Sequence, residues 1–188
     1  HTGGIKMAKT GIKKVYVGKW SAEGTYSEGK KLGTTAGFNG NPNANDAVDY
    51  GDNGAQETDK SVTGGTVSLE QNELTLEEKS MLLGHQMDVS KKELVYDVND
   101  VAPYVGIGAI GTSRRSGANV FVGKFYKKVQ FGEPNDENST KQETTTFGHD
   151  SIEGTILIPE DGIWKEEGEF KTEAEAEAWL KKKVGITE

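Results

Sequence analysis

The chain contains no cysteine. That excludes a disulfide framework, a thiolate metal site and a thiol nucleophile, and it fits a reducing compartment better than an oxidising one. Arginine is almost as scarce, with Arg114 and Arg115 the only two, and histidine is confined to His1, His85 and His149. No apolar run approaches the roughly 18 residues that cross a bilayer. The N-terminus has no apolar core of the kind a signal peptide needs. G-x-S-x-G, P-loop and H-E-x-x-H motifs are all missing. So is an excess of base: 22 Lys and Arg stand against 30 Asp and Glu, for a net charge of −8. A chain of this kind does not grip phosphate, which needs clustered Lys and Arg, but it can lie beside nucleic acid without holding it.

What is present points to β structure. The 188 residues suit one domain with long loops, large enough to bury roughly 70% of its unfolded surface without covalent staples. Residues 1–6, ahead of Met7, read as an expression-tag remnant, leaving 7–188 as a single domain. Gly is abundant at 25 residues and apolar content low at 33%, with Thr, Val, Tyr and Phe scattered among Gly and Asn. That is the composition of a β-rich domain with long exposed turns.

The stretch Asp59–Gly84 organises the reading. Val67 and Leu69 alternate with Thr66, Ser68 and Glu70, which is a half-buried strand. Gly64-Gly65 interrupts it, marking a bulge or a close backbone approach. Thr75 and Glu78 then form a capping box, Leu76 and Leu83 share a face seven residues apart, and Gly84 ends the helix. Before this stretch, Lys14–Trp20 alternates as a first strand, Ser21–Lys31 reads as a polar turn region, and Leu32–Phe38 as a second strand. Asn39–Asn43 is dense in turn residues, so the segment from about 37 to 54 is either a long protruding hairpin or a mobile loop.

After the helix, Glu93–Tyr96 is a short apolar run. Tyr104–Gly111 and Val120–Phe131 form a hairpin around the turn Arg114–Asn119. Glu143–Phe147 and Ser151–Ile158 read as further strands. A second capping box, Thr172 with Glu175, opens a terminal helix. There Ala176, Leu180 and Val184 share a face, Glu177 and Lys181 pair at i, i+4, and Gly185 ends the helix.

Signals of chemistry are few. Gly106, Gly108 and Gly111 spell G-x-G-x-x-G, but inside a strand that is followed by a turn and another strand, with no acid twenty residues on. The dinucleotide reading therefore fails its context, and small residues that admit close packing are the better account. His85 and His149 could share a metal only if the fold joined them. No acid pair stands out as a glycosidase couple. Asn138-Ser139-Thr140 matches the glycosylation pattern, idle without secretion. Asp52, Glu57, Asp59, Glu70, Glu73, Glu77 and Glu78 make an acidic stretch, which most simply is a solvated face. Arg114 and Arg115, with Lys124, Lys127 and Lys128, make the most basic patch. It is either a solvated turn or a surface that meets the acids of a neighbouring subunit.

One ordered set of segments carries a resemblance: Val48–Asn53, Gly64–Leu69, Leu82–His85, Tyr104–Gly108, Lys127–Pro134 and Glu175–Leu180. Together they resemble the major tail protein, or tail tube subunit, family of long-tailed non-contractile bacteriophages. The resemblance implies a mainly β fold of two packed antiparallel sheets, a β-sandwich or half-barrel, with one flanking helix and a C-terminal helix. It implies a structural, non-enzymatic subunit with no cofactor and no metal, which assembles into stacked, hexameric rings with an acidic lumen for DNA passage. The implied partners are the chain itself and other tail proteins (tape measure, tail terminator, distal tail). DNA passes without specific binding and no membrane is involved. The implied place is the virion tail, after synthesis in the bacterial cytoplasm. On that reading Asp52, Asp59, Glu70, Arg114, Arg115, Lys124 and Lys128 are candidate lumen or subunit-contact residues. Residues 9–14, 37–54 and the terminal helix are candidate contacts between rings. A rival reading is a non-catalytic β-sandwich adhesin or carbohydrate-binding module, which would need exposed aromatics such as Trp20, Tyr26 or Trp164.

Overall fold

A computed structural model describes residues 8–22, 24–45, 47–51, 54–115, 117–135 and 149–187. In chain order the strands begin with β1 (Ala8–Ala22), β2 (Thr25–Lys31), β3 (Thr35–Ala44), β4 (Ala47–Gly51), β5 (Gly54–Asp59) and β6 (Val62–Gln71). Helix α1 (Leu76–Leu83) precedes β7 (Gln86–Asp88), β8 (Glu93–Val95), β9 (Tyr104–Arg115) and β10 (Ala118–Phe131). Then come β11 (Asp150–Ile156), β12 (Lys165–Phe170) and α2 (Glu173–Lys183). The fold is mainly β and antiparallel. The expected strand at Glu143–Phe147 lies outside the described residues.

One large sheet runs β2-β1-β9-β10-β11-β6-β3, with β12 also pairing to β10. The two layers of the sandwich are therefore two parts of the same hydrogen-bonded sheet. The fold between them lies in β10. Phe121–Tyr126 pairs with β12, Val129–Phe131 pairs with β11, and the register against β9 shifts between Tyr126 and Val129. A bulge bends and twists a strand, and here it lets β10 exchange one neighbour for another.

Strand alternation sends side chains to two cores. On the inner face, Val15 and Val17 of β1, Val105 and Ile107 of β9, and Tyr126 and Val129 of β10 meet Val67 and Leu69 of β6 and Ile152 and Ile156 of β11. Helix α1 adds Leu82 and Leu83. Tyr126 spans the two layers, its ring 5.9 Å from Phe38 of β3. A side chain at Gly40 would collide with the Tyr126 ring. On the outer face, Tyr16, Ile110 and Phe125 meet Ala176, Leu180 and Val184 of α2.

Both capping boxes form as the sequence predicts, with Gly84 left-handed at φ 80°. The Glu78 carboxylate is buried, and besides Thr75 it accepts the Gly33 N–H at 2.7 Å. The box thus also ties the β2–β3 turn to α1. Leu76 does not share the buried face with Leu83: it is 37% exposed, and adjacent Leu82 does the packing.

Three other expectations need correction. Most of the Ser21–Lys31 turn region is strand β2, whose Tyr26 packs inward against Phe125. The second strand is Thr35–Ala44 rather than Leu32–Phe38, so the turn-rich Asn39–Asn43 is extended. Proline and asparagine fit there because β3 is an edge strand and Pro42 needs no outward N–H bond. Finally, Lys165–Phe170 is a strand that the sequence pattern hides, since an edge strand of charged residues shows no apolar alternation.

The segment from 37 to 54 resolves into a hairpin. It runs out along β3, through β4 and back through β5 into β6. Beyond Ala44, β4 and β5 pair only with each other and leave the large sheet. Gly64-Gly65 is the close approach: a Cβ on Gly65 would lie 2.8 Å from the Cα of Pro42.

Candidate functional site

The glycines of β9 are the first place where a motif acquires a structural role. Gly106 faces the rings of Tyr26 and Phe125, while Gly108 faces Leu180 of α2 and lies too close to the Lys124 carbonyl for a side chain. The bare face of the strand is filled by an aromatic and a helix, as the close-packing reading expects.

Polar clusters concentrate at joints between elements. Outside the sheet, Glu177 of α2 accepts hydrogen bonds from the Lys14 ammonium and the Tyr16 hydroxyl. These bonds, Lys14 first, hold the Glu177 carboxyl down at about 2. Burial pushes the Tyr16 hydroxyl up, and the bond to Glu177 adds to it. Lys181 reaches Glu177 at 3.7 Å, the expected i, i+4 pair.

At the end of α1, His85 is buried against Tyr96, with ring centroids 4.1 Å apart. Its Nδ1 lies 2.7 Å from Asp100, and its Nε2 meets Glu133. Burial lowers its pKa, but the bonds to the two carboxylates outweigh burial, and the net direction is up. His85 thus bonds Asp100 and Glu133, while His149 is exposed. Among the described residues no group of three or more His, Asp or Glu is arranged to hold a metal.

The basic patch is distributed differently from a free surface cluster. Arg115 forks onto Glu169 of β12 at 3.0 and 2.6 Å. Lys124 stands 3.8 Å from Glu167. Lys127 is buried and donates to Asp161. Lys128 lies over the rings of Trp20 and Tyr104, at 5.1 and 4.6 Å. Arg114 is exposed, and its backbone pairs with Ala8 and Asn119. Of the acids, Glu70 is half-buried on β6 beside Gly37. Asp59 ends β5 opposite Ala47. Asp52 lies outside the described residues.

Register places Lys124, Glu167, Arg115 and Glu169 on the same face as the inner core, but farther along β9, β10 and β12. Their side chains are 37–50% exposed. The sheet therefore extends beyond its own inner core, while α2 covers the opposite face of the same strands. Among the described residues, no strand pairs with the outer edges of β2, β3 or β12.

Sequence reasoning passed over a second basic group, Lys30, Lys31 and Lys92, which lines an open groove beside α1. The signal was two Lys-Lys pairs, Lys30-Lys31 and Lys91-Lys92, beside turns far apart in the chain. No helix of the described residues is long and apolar enough to cross a membrane. No protein-family model matches this chain, and no curated protein matches it.

Proposed function

We propose that this chain is the structural subunit of a hollow tube, built from rings of identical copies, of the kind that conducts DNA through the tails of long-tailed non-contractile bacteriophages. The observation that carries the reading is an unfinished sheet. Three strand edges are unpaired, and half of one face is polar and uncovered. An isolated protein gains nothing from open edges, which are templates for unwanted association. Copies that close a ring satisfy those edges with each other, and closed symmetry leaves none over.

The mixed charges of Arg115, Lys124, Glu167 and Glu169 suit a surface that meets another subunit or water rather than lipid. The net charge of −8 suits a lining past which phosphate slides, since like charge repels and no counter-ion is exchanged for a bound lysine. On this reading the partners are further copies and the other tail proteins, and the site of action is the virion tail.

The adhesin reading lacks its platform. Trp20, Tyr26 and Trp164 are each half-buried. Trp20 stacks edge-on to Tyr26 at 5.6 Å, and Trp164 lies 6.2 Å from Tyr126. Negative-stain microscopy of concentrated protein tests the proposal, with rings or hollow tubes expected. A sedimentation coefficient that stays monomeric at every concentration, with the other tail proteins added, would overturn it.

A further inference from the structure

The β4–β5 hairpin and the groove beside α1 have complementary chemistry and lie at opposite ends of the molecule. The groove, of about 780 Å³, is bounded by the β2–β3 turn, the first turn of α1 and the β7–β8 hairpin. Ile12, Leu32, Leu76 and Val89 give it apolar surface, and Val89 is 74% exposed. Its cations are Lys13, Lys30, Lys31 and Lys92. Lys30 pairs with Glu77, and Lys13 reaches Glu173 at 3.9 Å. Lys31 and Lys92 are exposed and have no ion-pair partner among the described residues. The other acid of the groove, Glu78, already accepts from Gly33 and Thr75, so the groove offers net positive charge.

Between Ala47 and Asp59 the hairpin carries Asp49, Asp52, Glu57 and Asp59 with no Lys or Arg, together with apolar Val48 and Tyr50. It leaves the body at the Ala44–Val62 end of β3 and β6, whereas the groove begins at Gly33–Thr35, at the other end of β3. Ten residues of β3 at about 3.3 Å each separate the two by about 30 Å. A contact that joins opposite ends of one molecule is heterologous, and each copy that docks leaves a fresh hairpin and a fresh groove exposed.

We infer that the β4–β5 hairpin of one copy docks in the groove of a second copy, end to end, with its carboxylates against Lys31 and Lys92 and its apolar residues against Val89 and Leu76. This rests on the reading of the chain as a self-assembling subunit and supplies the axial contact between successive rings. Opposite charge steers such an encounter and fixes its register, and the contact weakens with salt.

The chain has no cysteine, so a clean cross-linking test is available. Tyr50→Cys places a thiol on the hairpin and Val89→Cys places one on the groove wall. In the doubly substituted full-length protein, mild oxidation should give a ladder of disulfide-linked oligomers on non-reducing gels, while each single substitution alone gives monomer. Lys31→Glu with Lys92→Glu in that background should cut the ladder at least tenfold. Adding Asp49→Lys and Glu57→Lys to the same chain should restore it, and circular dichroism checks that every variant is folded. A ladder indifferent to the groove reversals means that another surface receives the hairpin, and the inference fails. Rings or tubes without any ladder also sink it, while leaving the tube reading intact. A charge-dependent ladder with no rings or tubes does the opposite.

Discussion

Replacing Glu177 by Gln cuts the charged tie between α2 and the sheet while leaving an amide oxygen for the Tyr16 hydroxyl. In the native protein Glu177 accepts from Lys14 and Tyr16, and these bonds hold its carboxyl at about 2 against an ordinary 4.5. A difference of that size corresponds to about 3 kcal/mol, at about 1.36 kcal/mol per pKa unit. Solvent reduces it, because Glu177 is 21% and Lys14 26% exposed. A loss of about 1–2 kcal/mol near neutral pH is expected. The folded-state pKa is depressed, so the contribution is complete above about 4.5 and disappears as the pH falls towards about 2. Urea unfolding of wild type and Glu177→Gln at about pH 7, 4.5 and 2.5 should show curves that are separate at neutral pH and converge in acid. A gap that is unchanged across this range would refute the charge-based account, as would no gap at neutral pH.

Three further perturbations probe other joints. Gln71 is fully buried, and its amide Nε2 and Oε1 have no hydrogen-bond partner; Gln71→Leu should raise stability by about 1 kcal/mol, and a lower melting temperature would show that the amide is satisfied. Gly108→Val should cost about 3 kcal/mol or more, because Leu180 and the Lys124 carbonyl occupy the space. Hydrogen exchange should then quicken in α2, and unchanged protection there would sink the packing account. The His85 pKa is raised in the fold, so its contribution is complete below about 6.5 and is lost as the pH rises through the folded value. Wild-type stability should therefore fall between about pH 6 and 8, and His85→Leu should flatten that slope; a slope that persists would place its origin elsewhere.

How much of this was readable in advance depended on how far apart the cooperating residues lie. Thr75 with Glu78, Thr172 with Glu175, and the β9–β10 hairpin were all visible, because each is decided within a few residues of chain. The β rich class followed from composition. Strand β12 was not visible, because Lys165–Phe170 is held by pairing with β10 rather than by an apolar pattern of its own. Asn39–Asn43 read as a turn because local propensity knows nothing of an edge position, where Pro42 is tolerated.

The partners of the charged groups were equally out of reach. Arg115 with Glu169, Lys14 with Glu177 and His85 with Glu133 are separated by 48 to 163 positions. Nothing in the sequence says which of 30 acids each will meet. The sequence by itself determined the helix boundaries, the β class, the absence of thiol chemistry and the acidic balance, because those depend on side-chain chemistry and on spacing within one turn or strand. Only the tertiary structure decided that the β9 glycines receive Tyr26 and α2, that Glu78 anchors the β2–β3 turn, and that an acidic hairpin and a basic groove lie at opposite ends. Those facts depend on how a single sheet bends at β10, and that bend is set by packing between residues far apart in the chain.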